Sequence, residues 1–223
     1  MRCLFSIPFR GLNGEGIPTF LDQDGNVSTT GIWFQTSDPE QLEFLKYEGP
    51  TEPTETGSFG NIFKYKGFTL NVFITYSFGN VVRLDPVFRS WYSDLSSTPK
   101  EFNNRWTVPG DEMKTTIPVI ASMRQRNLDS HLSYAYSAYN YSTERIAKGD
   151  FIRMKEISLN YDFAKVFCSH LGVNSLSLKL QTTNPFLIYA DKKLNGQDPE
   201  FFNTGGVAAP MPKQFTFTLR FGL

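Results

Sequence analysis

The residues best able to do chemistry are few and scattered. The 223-residue chain has two histidines and two cysteines. His131 and His170 stand apart from each other and from Cys3 and Cys168. No Cys/His spacing fits a tetrahedral zinc site, and two cysteines 165 positions apart read as unpaired thiols. Asp22-Gln23-Asp24-Gly25-Asn26 has the alternating oxygens of a calcium loop. The closing glutamate of the twelve-residue pattern is missing, because Trp33 stands there, so the segment reads as a glycine turn. Gly11, Gly14 and Gly16 do not fit a dinucleotide or phosphate-loop spacing. Neither G-x-S-x-G nor H-E-x-x-H occurs. The sequence therefore assigns no catalytic residue, metal or cofactor, and no enzymatic activity is expected.

Aromatic side chains are the stronger lead. Trp91, Tyr92, Trp106, Tyr134, Tyr136, Tyr139 and Tyr141 fall in one stretch, and Arg105 precedes Trp106. Aromatic faces stack on sugar rings, and the polar tips of Tyr and Trp add hydrogen bonds. The plainer alternative is that these rings pack the stretch onto itself or sit at a lipid–water interface.

The elements that must position them are strands, since the hydrophobic period is two wherever it is clear. In 68–78, Phe68, Leu70, Val72, Ile74, Tyr76 and Phe78 share one face, opposite Thr69, Asn71, Phe73, Thr75 and Ser77. The last residues repeat the pattern: Phe215, Phe217, Leu219, Phe221 and Leu223 oppose Gln214, Thr216, Thr218, Arg220 and Gly222. In 151–163, Phe151, Ile157, Leu159, Tyr161 and Phe163 are in phase, interrupted by Arg153 and Lys155. Leu176, Leu178 and Leu180 alternate with Ser and Lys, and Phe59, Phe63 and Tyr65 alternate upstream. Tyr65-Lys66-Gly67-Phe68 reads as a tight hairpin with Gly67 at positive φ. Ala164–Leu171, stopped by Gly172, reads as a helical turn.

The expected strands are thus about 58–66, 68–80, 150–163, 174–184 and 213–223. Residues 1–57 are an upstream loop with room for an extra strand in 27–46. Long loops cover 81–149 and 185–212, rich in Pro and Gly. A strand of about ten residues crosses a bilayer when tilted, and short turns alternating with long loops suit a membrane barrel. The expected fold is all-β, with antiparallel up-and-down transmembrane strands forming an incomplete portion of a barrel. A soluble β-sandwich, as a carbohydrate-binding module, alternates in the same way and is the competing reading. It places 68–78 and 213–223 across a core from each other.

Composition narrows the field. Lys+Arg and Asp+Glu number 22 each, so no basic footprint for nucleic acid exists. No apolar run approaches the roughly 18 residues of a spanning helix, and no signal-peptide segment follows Met1. Aromatics make up 15% of the chain.

Several motifs, in order, carry a resemblance. They are Tyr47-Glu48-Gly49-Pro50-Thr51-Glu52-Pro53, Thr56-Gly57-Ser58-Phe59-Gly60-Asn61 and Phe63-Lys64-Tyr65-Lys66-Gly67-Phe68-Thr69-Leu70. Asn104-Arg105-Trp106 with a following Pro-Gly step comes next, then Gly149-Asp150-Phe151-Ile152-Arg153-Met154-Lys155-Glu156-Ile157. Thr183-Asn184-Pro185-Phe186 and Pro212-Lys213-Gln214-Phe215-Thr216-Phe217 complete the series. Over roughly 45–223 the chain resembles the SusC-like branch of TonB-linked outer-membrane transporters.

The resemblance implies the C-terminal part of a 22-stranded barrel, located in the cell outer membrane if exported. It implies nutrient uptake, of glycan or peptide, with membrane lipid, a SusD-like lipoprotein lid and the TonB complex as partners, and no nucleic acid. It puts the last strand's end in the periplasm and both long loops outside the cell. The plug, and a signal sequence after Met1, are expected but not found, which reads as a truncated or partial gene; a nonfunctional remnant is the further alternative. An isolated piece is not expected to transport. Arg105, Trp106, Trp91 and Tyr92 are the expected contacts to substrate or lid. Phe215, Phe217, Leu219, Phe221 and Leu223 form the expected barrel-insertion strand, ending on Leu where such barrels usually end on an aromatic.

Overall fold

A computed structural model describes residues 2–29, 43–88, 98–170, 172–202 and 212–222. The chain divides into two compact units. One comprises 1–51 and 81–147, the other 52–80 and 148–223.

The first unit is built from short elements. Strand β1 (Cys3–Ser6) pairs antiparallel with β5 (Lys46–Pro50). Strands β2 (Phe9–Leu12), β3 (Pro18–Leu21) and β4 (Val27–Ser28) form a three-stranded sheet. Strand β8 (Val81–Arg83) pairs with β9 (Ile146–Lys148). Two helices follow one another, α1 (Met123–Leu128) and α2 (Leu132–Asn140). Ser122 and Gln125 close a reciprocal capping box at the start of α1.

Residues 81–149 are therefore not a plain loop, as the lack of period suggested. They fold around a core of Ile7, Phe20, Val87, Phe88, Phe102 and Tyr139. Phe9, Phe88 and Tyr139 meet edge to face, at centroid distances of 5.7 and 5.6 Å from the Tyr139 ring. Burial pushes the Tyr139 hydroxyl well above its ordinary pKa. Arg145, 3% exposed, is offset by Glu101 at 2.8 Å and by the Asp85 carbonyl at 2.6 Å.

The second unit is a five-stranded antiparallel sheet. Its strands are β6 (Glu55–Tyr65), β7 (Phe68–Phe78), β10 (Phe151–Asp162), β11 (Ser175–Ala190) and β12 (Gln214–Gly222), in the order β12-β11-β10-β7-β6. The β6–β7 hairpin has a two-residue loop, Lys66 at φ 43° and Gly67 at φ 87°. Positive φ at both positions is the turn that matches strand twist. A Cβ on Gly67 would lie 2.9 Å from the Asp162 carbonyl oxygen. Helix α3 (Lys165–His170) fills the β10–β11 turn on the same rim. At the opposite rim β7 ends at Phe78, β10 begins at Phe151, β11 ends at Ala190 and β12 begins at Gln214.

Two sequence expectations change here. Strand β11 runs on to Ala190, so 185–190 are strand and not loop. Asn184, at φ 52°, takes up the irregularity before Pro185 and the strand resumes. Strand β10 carries an extra residue at Lys155, between Met154↔Ile74 and Glu156↔Phe73. A single inserted residue reverses the faces beyond it. Phe151 is therefore not in phase with Ile157. It sits opposite Ser77 on the polar face, and Ile152 and Met154 join the apolar one.

The sandwich alternative fails on topology. Residues 68–78 and 214–222 lie in one sheet, with two strands between them. Of the extra strand expected in 27–46, Val27–Ser28 and the first residue of β5 are strand, and 30–42 lie outside the described residues.

Candidate functional site

The cross-strand register sorts the sheet's side chains into two chemically different faces. One row joins Phe63, Leu70, Leu159, Leu180 and Phe217. The next on that side, toward the hairpin rim, joins Tyr65, Phe68, Tyr161, Leu178 and Leu219. This face is open: Phe215 is 80% exposed, Phe217 66% and Phe59 61%. A soluble protein rarely leaves so large a contiguous apolar surface uncovered. Toward the hairpin rim, Phe68 and Tyr161 are 4.4 Å apart and the ring contacts continue through Phe163 to Phe167.

The other face is polar. Its rows join Lys64, Thr69, Asn160, Lys179 and Thr218, and then Ile62, Asn71, Ser158, Gln181 and Thr216. Asn71 Nδ2 donates to Glu156 Oε1 at 3.3 Å. Phe151 is one aromatic intruder on this face and Phe73 is the other. Gly60 opposite makes room for it, since a Cβ there would lie 3.0 Å from the ring. Near the rim opposite the hairpin, Arg153 is 4% exposed and ion-paired with Asp198 and with Glu200, the latter at 3.2 Å. Sequence reading passed over this cluster, taking Arg153 as an interruption of the period. The available signal was a lone cation within an alternating strand and the acidic Asp198-Pro199-Glu200 downstream.

Among the expected contact residues, Trp106 is 8% exposed. Its indole N–H donates to Glu112 Oε2 at 2.9 Å, and its ring lies against Gly16, where a Cβ would come within 2.5 Å. Arg105 bonds the Phe102 carbonyl at 3.3 Å and stacks over the Phe102 ring. The pair is bound into its own unit rather than displayed together on a surface. Trp91, Tyr92 and Leu223 lie outside the described residues. Among the described residues of this stretch, Tyr134 and Tyr141 are the exposed tyrosines, at 53% and 54%, and the Arg83 guanidinium lies over the Tyr141 ring. Of the terminal strand, Phe215, Phe217, Leu219 and Phe221 share the apolar face with Leu178 and Leu180.

Two carboxylates in the first unit are tuned by donors. The backbone N–H of Val108 and both donors of Thr107 hold Asp111 below its ordinary pKa. The Trp106 indole does the same for Glu112, helped by backbone N–H groups including that of Gly110. Among the described residues no group of three or more His, Cys, Asp or Glu could hold a metal.

Long paired strands with a lipid-compatible face and a polar face define the wall of a transmembrane β-barrel. No helix among the described residues is long and apolar enough to cross a membrane.

Comparison with known proteins points the same way. No protein-family model matches the chain. TonB-dependent receptor P39 of Formosa agariphila is 28% identical over 158 residues, covering 69% of this chain and 14% of the receptor. TonB-dependent receptor P3 of the same organism is 24% identical over 192 residues, covering 85% and 16%. Among solved structures, the RagAB peptide transporter matches with a TM-score of 0.67 and 18% identity, over 97% of this chain and 22% of that one. The RagAB peptide importer in its open-open state matches with a TM-score of 0.65 over 98% and 22%. These matches bear out the resemblance to SusC-like TonB-linked transporters read from the motifs. The chain spans less than a fifth of the length of these curated relatives.

Proposed function

We propose that this chain supplies part of the barrel wall of a TonB-dependent outer-membrane importer of nutrients. The apolar face of the sheet meets lipid, and the Thr, Ser, Asn and Gln face lines the passage. The cargo is a peptide or glycan fragment. Peptide import is the activity named for the RagAB neighbours. The intact importer works with a SusD-like lid and draws energy from the TonB complex. The chain's own part is containment and guidance rather than catalysis.

The observation that carries this reading is the division of faces across five paired strands, apolar rows on one side and mainly Thr, Ser, Asn, Gln and Lys rows on the other. Adjacent residues of β12 test it. In a Cys3→Ser, Cys168→Ala background, Thr216→Cys in isolated outer membranes should react with a polar maleimide. Phe217→Cys should stay shielded by lipid and react only after detergent extraction. Equal reaction at the two positions in intact membranes would overturn the assignment of faces.

A further inference from the structure

Strand β11 leaves the sheet at Ala190, opposite Phe151. The chain then passes through two single-turn 3-10 helices, Lys192–Leu194 and Pro199–Phe201. Asn195 at φ 52° and Gly196 at φ 86° reverse it. It comes back to the sheet, because Asp198 and Glu200 both pair with Arg153. Arg153 lies two residues inward of Phe151, about 7 Å along the strand. Its register with Thr75 puts it on the polar face.

The start of the segment is fastened as well. Asp191 accepts from the Lys148 backbone N–H at 2.8 Å and from the Lys193 N–H at 3.0 Å. Leu194 is 1% exposed. Asp198 also caps the second turn, accepting from the Glu200 N–H at 3.1 Å. A buried guanidinium is costly unless paired and hydrogen-bonded. Here the partners arrive from beyond the strand's end, which requires the chain to fold back over the polar surface rather than away from it.

We infer that residues 191–202 form an inward strap that narrows the passage and presents exposed Lys192, Lys193 and Gln197 to the passing polar cargo. Arg153 is the positioning residue that holds the strap in place. The inference rests on the reading above that the polar face lines the passage.

Thiol reagents of two sizes applied to intact cells test it. In the same cysteine background, with the full chain in the outer membrane, Gln197→Cys should react with a small polar maleimide. A 5-kDa polyethylene-glycol maleimide should react at least about tenfold more slowly than at an outward-facing site. Adding Arg153→Met frees the strap and should bring that size ratio to about one, since exposure follows the opening equilibrium. Arg153→Lys, which keeps the charge, should restore part of the ratio. Equal reaction with both reagents while Arg153 is intact would overturn the strap. A ratio unmoved by Arg153→Met would overturn the role of Arg153. Phe217→Cys is labelled in parallel. Its reaction with the polar reagent in untreated membranes would count against the barrel-wall reading itself, a failure separable from that of the strap.

Discussion

Single residues in the first unit are fixed by partners that sequence does not display. Trp106 beside Arg105 suggested a displayed contact pair. The indole is instead satisfied by Glu112 and seated against Gly16, ninety positions away in the chain. The aromatic type was legible, but its direction was not, because that depends on which glycine leaves room. Glu112 and Asp111 make a prediction at this scale. Their donors exist only in the folded turn, so both folded pKa values lie below the unfolded ones. Their stabilisation is complete above the unfolded values, about 4 for both groups. It is lost as pH falls through the lower folded values. With Trp33 and Trp91 replaced by Phe, Trp106 emission should stay constant down to about pH 5 and shift red on further acidification. Glu112→Gln should remove the part of that transition due to Glu112. An unchanged midpoint in Glu112→Gln would contradict the link.

At the scale of elements, legibility followed regularity. Strand β7 was readable because its eleven residues alternate with Phe73 as the one exception. Strand β10 alternates too, but the extra residue at Lys155 switches its faces midway. A reading with fixed parity therefore misplaced Phe151. Pro185 looked like the end of a strand, although Asn184 absorbs the irregularity and β11 continues for several residues. In 81–149 the α-helices among the described residues have six and nine residues, too short for a period to emerge. The β6–β7 hairpin is the element most exposed to a single change. Gly67→Ala forces a Cβ into positive φ and toward the Asp162 carbonyl. It should cost about 1–2 kcal/mol, read from unfolding midpoints in detergent micelles. Lys66→Asn, which suits the same backbone, should be neutral or stabilising. A Gly67→Ala protein as stable as its parent would contradict the turn geometry.

For the whole molecule, the sheet ends on β6 and β12, neither of which has a second neighbour among the described residues. Open edges beside an exposed apolar face invite association. The 223-residue chain produced alone should require detergent to stay dispersed and should give no channel activity when reconstituted. Stable single-channel currents from this chain alone would show that these strands close a pore without further wall. The first unit adds a different consequence. Its core draws Ile7 and Phe20 from before the sheet, and Phe88, Phe102 and Tyr139 from between β7 and β10. The strands between these two stretches belong to the other unit. Genetic exchange that replaced 81–147 alone would leave Ile7 and Phe20 facing a foreign surface. The two stretches must therefore be inherited together, and compensating changes in recombinants should fall in 1–51, far from the exchanged segment in the gene.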